Sequence, residues 1–203
     1  MVPQILITDD HSMIRKGLKI YLQLNLGNKF VDETSSCNEL LIALKRKAYT
    51  HLILDIILGD GSALEVIPTI RNLYPDLKIL IFSMQAPEVY GEALKQYGIF
   101  NYLPKSAGED EILSTLNRFL SNQKNVTPMG RVANTENPFS SLSPRELEVL
   151  HYLLKGIGTK DVSEQLNLRM NTISTLKNRI LSKTNSPNMK HLMELAAMYN
   201  INS

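Results

Sequence analysis

Apolar side chains fall into short unbroken runs in the first 120 positions, separated by stretches where they recur every three or four residues. Gln4-Ile5-Leu6-Ile7-Thr8, His51-Leu52-Ile53-Leu54 and Lys78-Ile79-Leu80-Ile81-Phe82 are such runs, and residues 30–34 and 99–103 are shorter ones. A continuous apolar run fits a strand buried on both faces. The intervening stretches read as helices. Residues 12–24 carry Ile14, Leu18 and Leu22 on one stripe, residues 38–48 carry Leu40, Leu41 and Leu44, and further helices begin near Ser62, Pro87 and Gly108. Strand and helix alternating five times predict a parallel sheet wrapped by helices, with any ligand at the carboxyl ends of the strands.

The pattern breaks after Leu120. Residues 122–138 are polar and contain Pro128, Gly130 and Pro138, the composition of a linker. They divide the chain into a first domain, 1–121, and a second, 139–203. No strand pattern follows. Ser143-Pro144-Arg145-Glu146 combines a Ser N-cap, Pro at the first helical position and Glu three residues after the cap, and Gly156 ends the helix that follows. Thr159 is expected to cap a short helix bearing Val162 and Leu166. Asn171 is expected to cap a longer one bearing Ile173, Leu176 and Ile180. Ser186 or Asn188 would cap the last, with Leu192, Leu195 and Tyr199.

Charge adds one distinction. Positions 1–120 hold 12 Lys/Arg against 14 Asp/Glu, whereas 139–203 hold 8 against 5. The basic second half points to nucleic acid as its partner. No apolar run approaches the roughly 20 residues of a membrane span, and Met1-Val2-Pro3-Gln4 does not open a signal peptide. The expected location is the cytoplasm, with no membrane partner. A single cysteine, Cys37, rules out an intramolecular disulfide. His11, His51, His151 and His191 lack zinc-ligand spacing, and no Gly-x-Gly-x-x-Gly, Gly-x-Ser-x-Gly or P-loop is present.

The expected strand ends carry the chemistry. The first strand leads into Asp9-Asp10, the third into Asp55, the fourth into Ser83 and the fifth into Lys105. Adjacent carboxylates repel unless a cation compensates them, and carboxylate oxygens suit Mg²⁺. An aspartate can attack phosphorus, while a cation and a lysine neutralise the transferred group. The runs Ile-Leu-Ile-Thr-Asp9-Asp10-His11, Leu-Asp55-Ile-Ile-Leu, Phe-Ser83-Met and Tyr102-Leu-Pro-Lys105 resemble the response-regulator receiver family over residues 4 to about 120. That resemblance implies a flavodoxin-like, doubly wound α/β fold with a five-stranded parallel sheet. It implies Asp55 as phospho-acceptor, and Asp10 and Asp55 as Mg²⁺ ligands with Asp9 acting through water and the Ile57 carbonyl completing the set. Ser83 and Lys105 would be its switch hydroxyl and invariant lysine, and Tyr102 its switch aromatic or only a packing ring. Three positions depart from the family pattern: Gly59 stands where Pro is usual, Ala63 where Gly is usual, and Lys105 is followed by Ser106 and preceded by Pro104.

The second half resembles a LuxR-type (NarL/FixJ-like) helix-turn-helix domain. The matching runs are Leu142-Ser-Pro-Arg-Glu-Leu-Glu-Val-Leu150, Gly158-Thr-Lys-Asp-Val-Ser-Glu-Gln-Leu166 and Asn171-Thr-Ile-Ser-Thr-Leu-Lys-Asn-Arg-Ile-Leu-Ser-Lys183. The likeness covers Leu142 to Tyr199 and implies a small all-α domain of four helices. On its third helix Ser174, Thr175 and Asn178 are candidates to read base edges, and Lys177, Arg179, Lys183 and Thr172 to contact phosphates. Where the family often has Lys and His or Tyr, this chain has Ser174 and Leu176. Part of the last helix packs on its own domain, and the remainder is either a dimer contact or packing alone.

Together these features lead us to expect a phosphorylation-dependent transcription regulator, not an enzyme. A histidine kinase would phosphorylate Asp55, and the phosphorylated homodimer would bind duplex DNA. Three alternatives stay open: a regulator whose receiver serves only protein contacts, an interaction module that binds no DNA, and a phosphatase of the haloacid dehalogenase type. The last expects a second Asp where Ile57 stands.

Overall fold

The computed structural model describes residues 2–121, 137–199 and 201. In chain order the first part contains β1 (Ile5–Thr8), α1 (Ser12–Asn25), β2 (Val31–Thr34), α2 (Cys37–Arg46), β3 (His51–Leu54), β4 (Ile57–Leu58), β5 (Gly61–Ser62), α3 (Ala63–Leu73), β6 (Lys78–Ser83), α4 (Pro87–Lys95), β7 (Asn101–Pro104) and α5 (Glu109–Leu120). Five strands make one parallel sheet in the order β2-β1-β3-β6-β7. Ile5 pairs with both Val31 and His51, His51 with Lys78, and Leu80 with Asn101. The chain runs outward to β2 and then back past β1 to β3, so the strand order reverses between β1 and β3. A crevice opens at such a reversal, at the carboxyl ends of the strands.

β1 and β3 are buried along their whole length, as their unbroken apolar runs require. One core cluster joins Ile5, Ile7, Ile53, Leu80, Phe82 and Leu103 of the sheet to Leu18 and Leu22 of α1 and Leu116 and Phe119 of α5. The shorter runs shift in register. Phe30 stays 48% exposed ahead of β2, and Ile99 is buried but lies before β7. Both residues add apolar mass without completing a ladder, which composition alone does not separate from a strand.

The β4–β5 hairpin had no sequence signal, because its two-residue strands are shorter than any hydrophobic period. It pairs Ile57 with Ser62 and Leu58 with Gly61, whose φ of 146° excludes most other residues. Ser62 then caps α3 in a reciprocal box with Glu65. Asp60 at the hairpin tip accepts hydrogen bonds from the backbone of Cys37 and Asn38 (2.9 and 3.0 Å), tying the hairpin to the start of α2. Cys37 is buried, and burial pushes its thiol up to about 12, so it stays protonated and inert.

The described residues divide into two units, one drawn from residues 2–84 and 97–121, the other from residues 85–96 and those from 137 onward. Most of the expected linker, 122–136, lies outside the described residues. The second part opens with a 3-10 turn, Pro138–Ser141, then α6 (Pro144–Leu154), α7 (Thr159–Gln165), α8 (Met170–Lys183) and α9 (Met189–Met198). α6 begins with the expected capping box between Ser143 and Glu146, and Gly156, at φ 75°, turns the chain out of it. Two expected caps are corrected. Gly158, not Thr159, precedes α7, and α8 starts two residues earlier than expected, after Arg169, with no side-chain cap. The α7–α8 turn explains the second change: Asn167 adopts φ 50° and Leu168 N–H bonds back to Ser163, so the chain is already helical at Asn171. Of the two candidates for α9, Asn188 is the cap. Ile173, Leu176 and Ile180 are buried where α8 packs on α6 and α7. Leu192 and Ala196 bury the inner face of α9, while Met193 and Met198 remain exposed. No described helix is long and apolar enough to cross a membrane.

Candidate functional site

Sheet register brings the candidate residues together. Asp9 and Asp55 each follow the last residue of neighbouring strands, and the backbone ladder continues one step past them. Asp9 N–H donates to Thr34 O (3.2 Å), Asp55 N–H to Thr8 O (2.9 Å) and Lys105 N–H to Ser83 O (2.9 Å). The side chains are therefore aimed from rigid strand ends into one crevice.

Asp55 is 5% exposed and sits at the centre. Ser83 Oγ donates to its Oδ1 at 2.5 Å, and Lys105 Nζ to its Oδ2 at 2.5 Å. Lys105 also pairs with Asp9 Oδ2 at 2.7 Å. Burial raises the Asp55 pKa above the ordinary carboxylate value, and the hydrogen bonds from Lys105 and Ser83 only partly offset it. At Lys105 burial disfavours the ammonium, but Asp55 and Asp9 outweigh that cost and raise its pKa. Lys105 is thus held charged between two carboxylates.

The other oxygen of Asp9 turns toward His11. Its Oδ1 accepts from the backbone N–H of His11 at 2.9 Å, and Arg15 Nη1 donates to the Asp9 carbonyl at 2.6 Å. Asp10 is more open, and its Oδ1 lies 2.7 Å from His11 Nδ1. Donor atoms of Asp9, Asp10, His11 and Asp55 all lie within 4.8 Å of one another. Such oxygens, partly open to solvent, fit a hard divalent cation that keeps positions for water and a phosphoryl group. The backbone of Gly59 borders the same place: a Cβ there would meet Asp10 Oδ2 at 3.9 Å. Ile57 opens the hairpin two residues beyond Asp55. Tyr102 is 9% exposed on β7, beside Ile81 of β6. The Lys105–Ser106 peptide is trans, as are all those described.

Sequence reasoning gave no role here to His11, Arg15 or Asp60. His11 adjoins the aspartate pair, and Arg15 lies one helical turn further on. In space the neighbours of His11 are the carboxylates of Asp9 and Asp10 rather than another histidine.

On α8 the expected polar face forms. Thr172, Ser174, Thr175, Asn178 and Arg179 are exposed, and Lys177 is half-buried. Thr175 Oγ1 bonds back to Asn171 O at 2.8 Å. Lys183 is engaged elsewhere: its Nζ lies 2.7 Å from Glu146 Oε2 and 3.1 Å from Ser141 O. Burial disfavours the Glu146 charge, yet Lys183 and Ser143 outweigh it and hold that carboxyl below its ordinary pKa.

Comparison with known proteins covers both halves. Residues 5–117 match the family described as response regulator receiver domain, and residues 140–198 match bacterial regulatory proteins, luxR family. The chain is 27% identical over 206 residues to the response regulator UvrY of Escherichia coli K12, covering 97% of this chain and 94% of that protein. It is 29% identical over 208 residues to the oxygen regulatory protein NreC of Staphylococcus carnosus, covering 95% and 96%. Among solved structures, RcsB from Salmonella enterica serovar Typhimurium, bound to promoter P1flhDC in the presence of the phosphomimetic BeF3-, superposes with a TM-score of 0.80. The identity there is 20%, and the match covers 98% of this chain and all of that one, a likeness of fold.

Proposed function

This chain belongs to the response regulators, with a receiver domain and a second domain of the luxR family, and on that premise we propose that phosphorylation of Asp55 controls its dimerisation and its binding to duplex DNA. The observation that carries this reading is the pairing of one buried carboxylate with both Ser83 and Lys105 at the ends of adjoining strands. A histidine kinase is the phosphodonor. The proposed domains are 1–121 and 139–203, joined by 122–138.

Asp55 acts as nucleophile toward phosphorus, its oxygens already aimed by Ser83 and Lys105. Lys105 neutralises charge on the transferred group, and Ser83 hydrogen-bonds the group once attached. Asp10 and Asp55, with the Ile57 carbonyl and with Asp9 acting through water, would hold Mg²⁺, and that ion would supply the remaining positive charge near the transferred group. After transfer, Ser83 and Lys105 must leave the Asp55 oxygens for the new group. Ser83 is on β6 and Tyr102 on the adjoining β7, so their displacement alters the face that these strands support.

The DNA surface is α8. Ser174, Thr175 and Asn178 reach base edges, while Thr172, Lys177 and Arg179 contact phosphates. Lys183 would do so only by leaving Glu146. Two protomers place two such helices about one helical turn apart, ~34 Å. The protein works in the cytoplasm and turns over no substrate of its own.

The test is intact mass after incubation with a cation and acetyl phosphate. The native protein should gain one phosphoryl group, about +80 Da, and Asp55→Asn should gain none. An equal gain in both would refute Asp55 as acceptor. Unchanged dimerisation on phosphorylation would refute the control mechanism.

A further inference from the structure

β2 and β3 are not neighbours in the sheet, because β1 lies between them. Asp60, in the hairpin that follows β3, nevertheless bonds to α2, which follows β2. The hairpin therefore crosses the end of β1, where Asp9 and Asp10 stand. Gly59 marks the crossing: a Cβ there would lie 3.9 Å from Asp10 Oδ2. The base of the hairpin is closed next to Asp55, since Ala63 N–H donates to Ile56 O at 2.7 Å. Its tip, Gly59-Asp60, is exposed and is followed by Gly61 at φ 146°, so neither burial nor side-chain bulk stiffens it. Asp60 supplies the hold instead. Its Oδ1 accepts from Cys37 N–H at 2.9 Å and its Oδ2 from Asn38 N–H at 3.0 Å, the first two donors of α2. A carboxylate at a helix N-terminus is held by charge as well as by hydrogen bonds. The third donor, Glu39 N–H, is taken by Ser36 Oγ at 3.1 Å, so α2 keeps a cap of its own.

We propose that Asp60 is a positioning residue for phosphorylation of Asp55: by fastening the hairpin to α2, it fixes the wall of the crevice that residues 56–59 form beside Asp10 and Asp55. The inference rests on the reading of Asp55 as phospho-acceptor. The Asp60 carboxylate is spent on α2 and not on a reacting group, so it acts only through the hairpin. Released from α2, a tip with a glycine on either side of residue 60 would swing. Reaction of a positioned nucleophile depends steeply on the geometry around it, and a displaced wall lowers the rate of reaction without removing a contact to the donor.

The experiment uses the full chain with Mg²⁺ and acetyl phosphate, and follows the phosphoryl gain by intact mass over time. In Asp60→Ala the maximal rate should fall about tenfold, while the donor concentration giving half that rate stays within about twofold. Asp60→Asn, which keeps one accepting oxygen, should fall between native and Asp60→Ala. Ser36→Ala is the control, because it removes a cap from the same helix end and leaves the hairpin fastened; its rate should stay within about twofold of native. Hydrogen exchange at the Cys37 and Asn38 amides should be slow in the native chain and fast in Asp60→Ala. A native rate in Asp60→Ala with those amides released, or an equal fall in Ser36→Ala, would overturn the inference and leave Asp55 standing as acceptor. Should Asp60→Ala fail to fold by far-ultraviolet circular dichroism, Asp60→Asn carries the same comparison. No phosphoryl gain in the native chain, or an equal gain in Asp55→Asn, removes the acceptor reading and the inference with it.

Discussion

Lys183, at the end of α8, reaches Glu146, which completes the capping box that Ser143 opens on α6, with Nζ 2.7 Å from Oε2. The same carboxylate oxygen accepts the Ser143 backbone N–H at 2.7 Å, and the Glu146 side chain is only 3% exposed. One contact therefore joins the capping box of the first helix of the second domain to the far end of the helix proposed to enter DNA.

Removing the cation leaves a buried carboxylate short of a partner. Lys183→Met should destabilise the second domain by roughly 1–3 kcal/mol, less than for a fully buried pair because the lysine is partly exposed. Urea denaturation followed by circular dichroism checks this. Lys177→Met, which breaks no such contact, should leave stability within about 0.5 kcal/mol. Equal stability in both variants would show that the Glu146 contact contributes nothing.

The polar face of α8 separates into two kinds of effect. Ser174→Ala, Thr175→Ala or Asn178→Ala should weaken discrimination between cognate and mismatched duplexes by about 1–3 kcal/mol where the side chain reads a base. Lys177→Gln and Arg179→Gln should weaken all duplexes alike, and each should reduce the salt slope of binding by about 1. Titrations at several salt concentrations distinguish the two. A loss of discrimination in the lysine variant with no change of slope would reverse the assignment.

A cation bound to the folded crevice but not to the unfolded chain stabilises the first domain by mass action. At a free concentration 100 times the dissociation constant the gain is about 2.7 kcal/mol. The melting temperature of native protein should rise with added Mg²⁺ or Mn²⁺ and fall back on chelation. Asp10→Asn should respond much less. An equal rise in the variant would mean that the ions act elsewhere.

His51, at the start of β3, gives the fold a pH dependence unrelated to phosphorylation. It is 3% exposed, accepts or donates one hydrogen bond with Thr50 at 2.8 Å and meets Phe119 edge to face at 4.9 Å. Burial, reinforced by the charge of Lys78, depresses its pKa to about 4. An exposed histidine in the unfolded chain takes its proton near pH 6.5. Between those values the unfolded state binds more protons, so stability is full above about pH 6.5 and falls as the pH drops toward 4. The loss from this residue reaches roughly 3 kcal/mol. His51→Leu should flatten that part of the stability profile. A profile unchanged by the substitution would assign the acid sensitivity to other groups.

The family, the parallel sheet and the convergence of Asp9, Asp10, Asp55, Ser83 and Lys105 at one edge of it were legible in the chain by itself. Unbroken apolar runs such as Ile5-Leu6-Ile7 can satisfy their surface only when covered on both faces, and alternation with helices leaves a parallel sheet as the arrangement that covers them. Strand-end aspartates are then forced to one edge, because every strand points the same way. The Ser143–Glu146 box was equally legible, since its two partners are three residues apart. Tertiary structure decided the rest, wherever partners are distant in sequence and their types ambiguous. No period marks the β4–β5 hairpin or the hold of Asp60 on α2, 22 and 23 residues away. Lys183 reads as a phosphate-binding cation until the packing of α8 on α6 brings it to Glu146. His11 is one exposed histidine until the turn after β1 sets its ring nitrogen against two carboxylates. In each case local pattern specifies which face of an element is buried, but only the packed chain specifies which charge meets which.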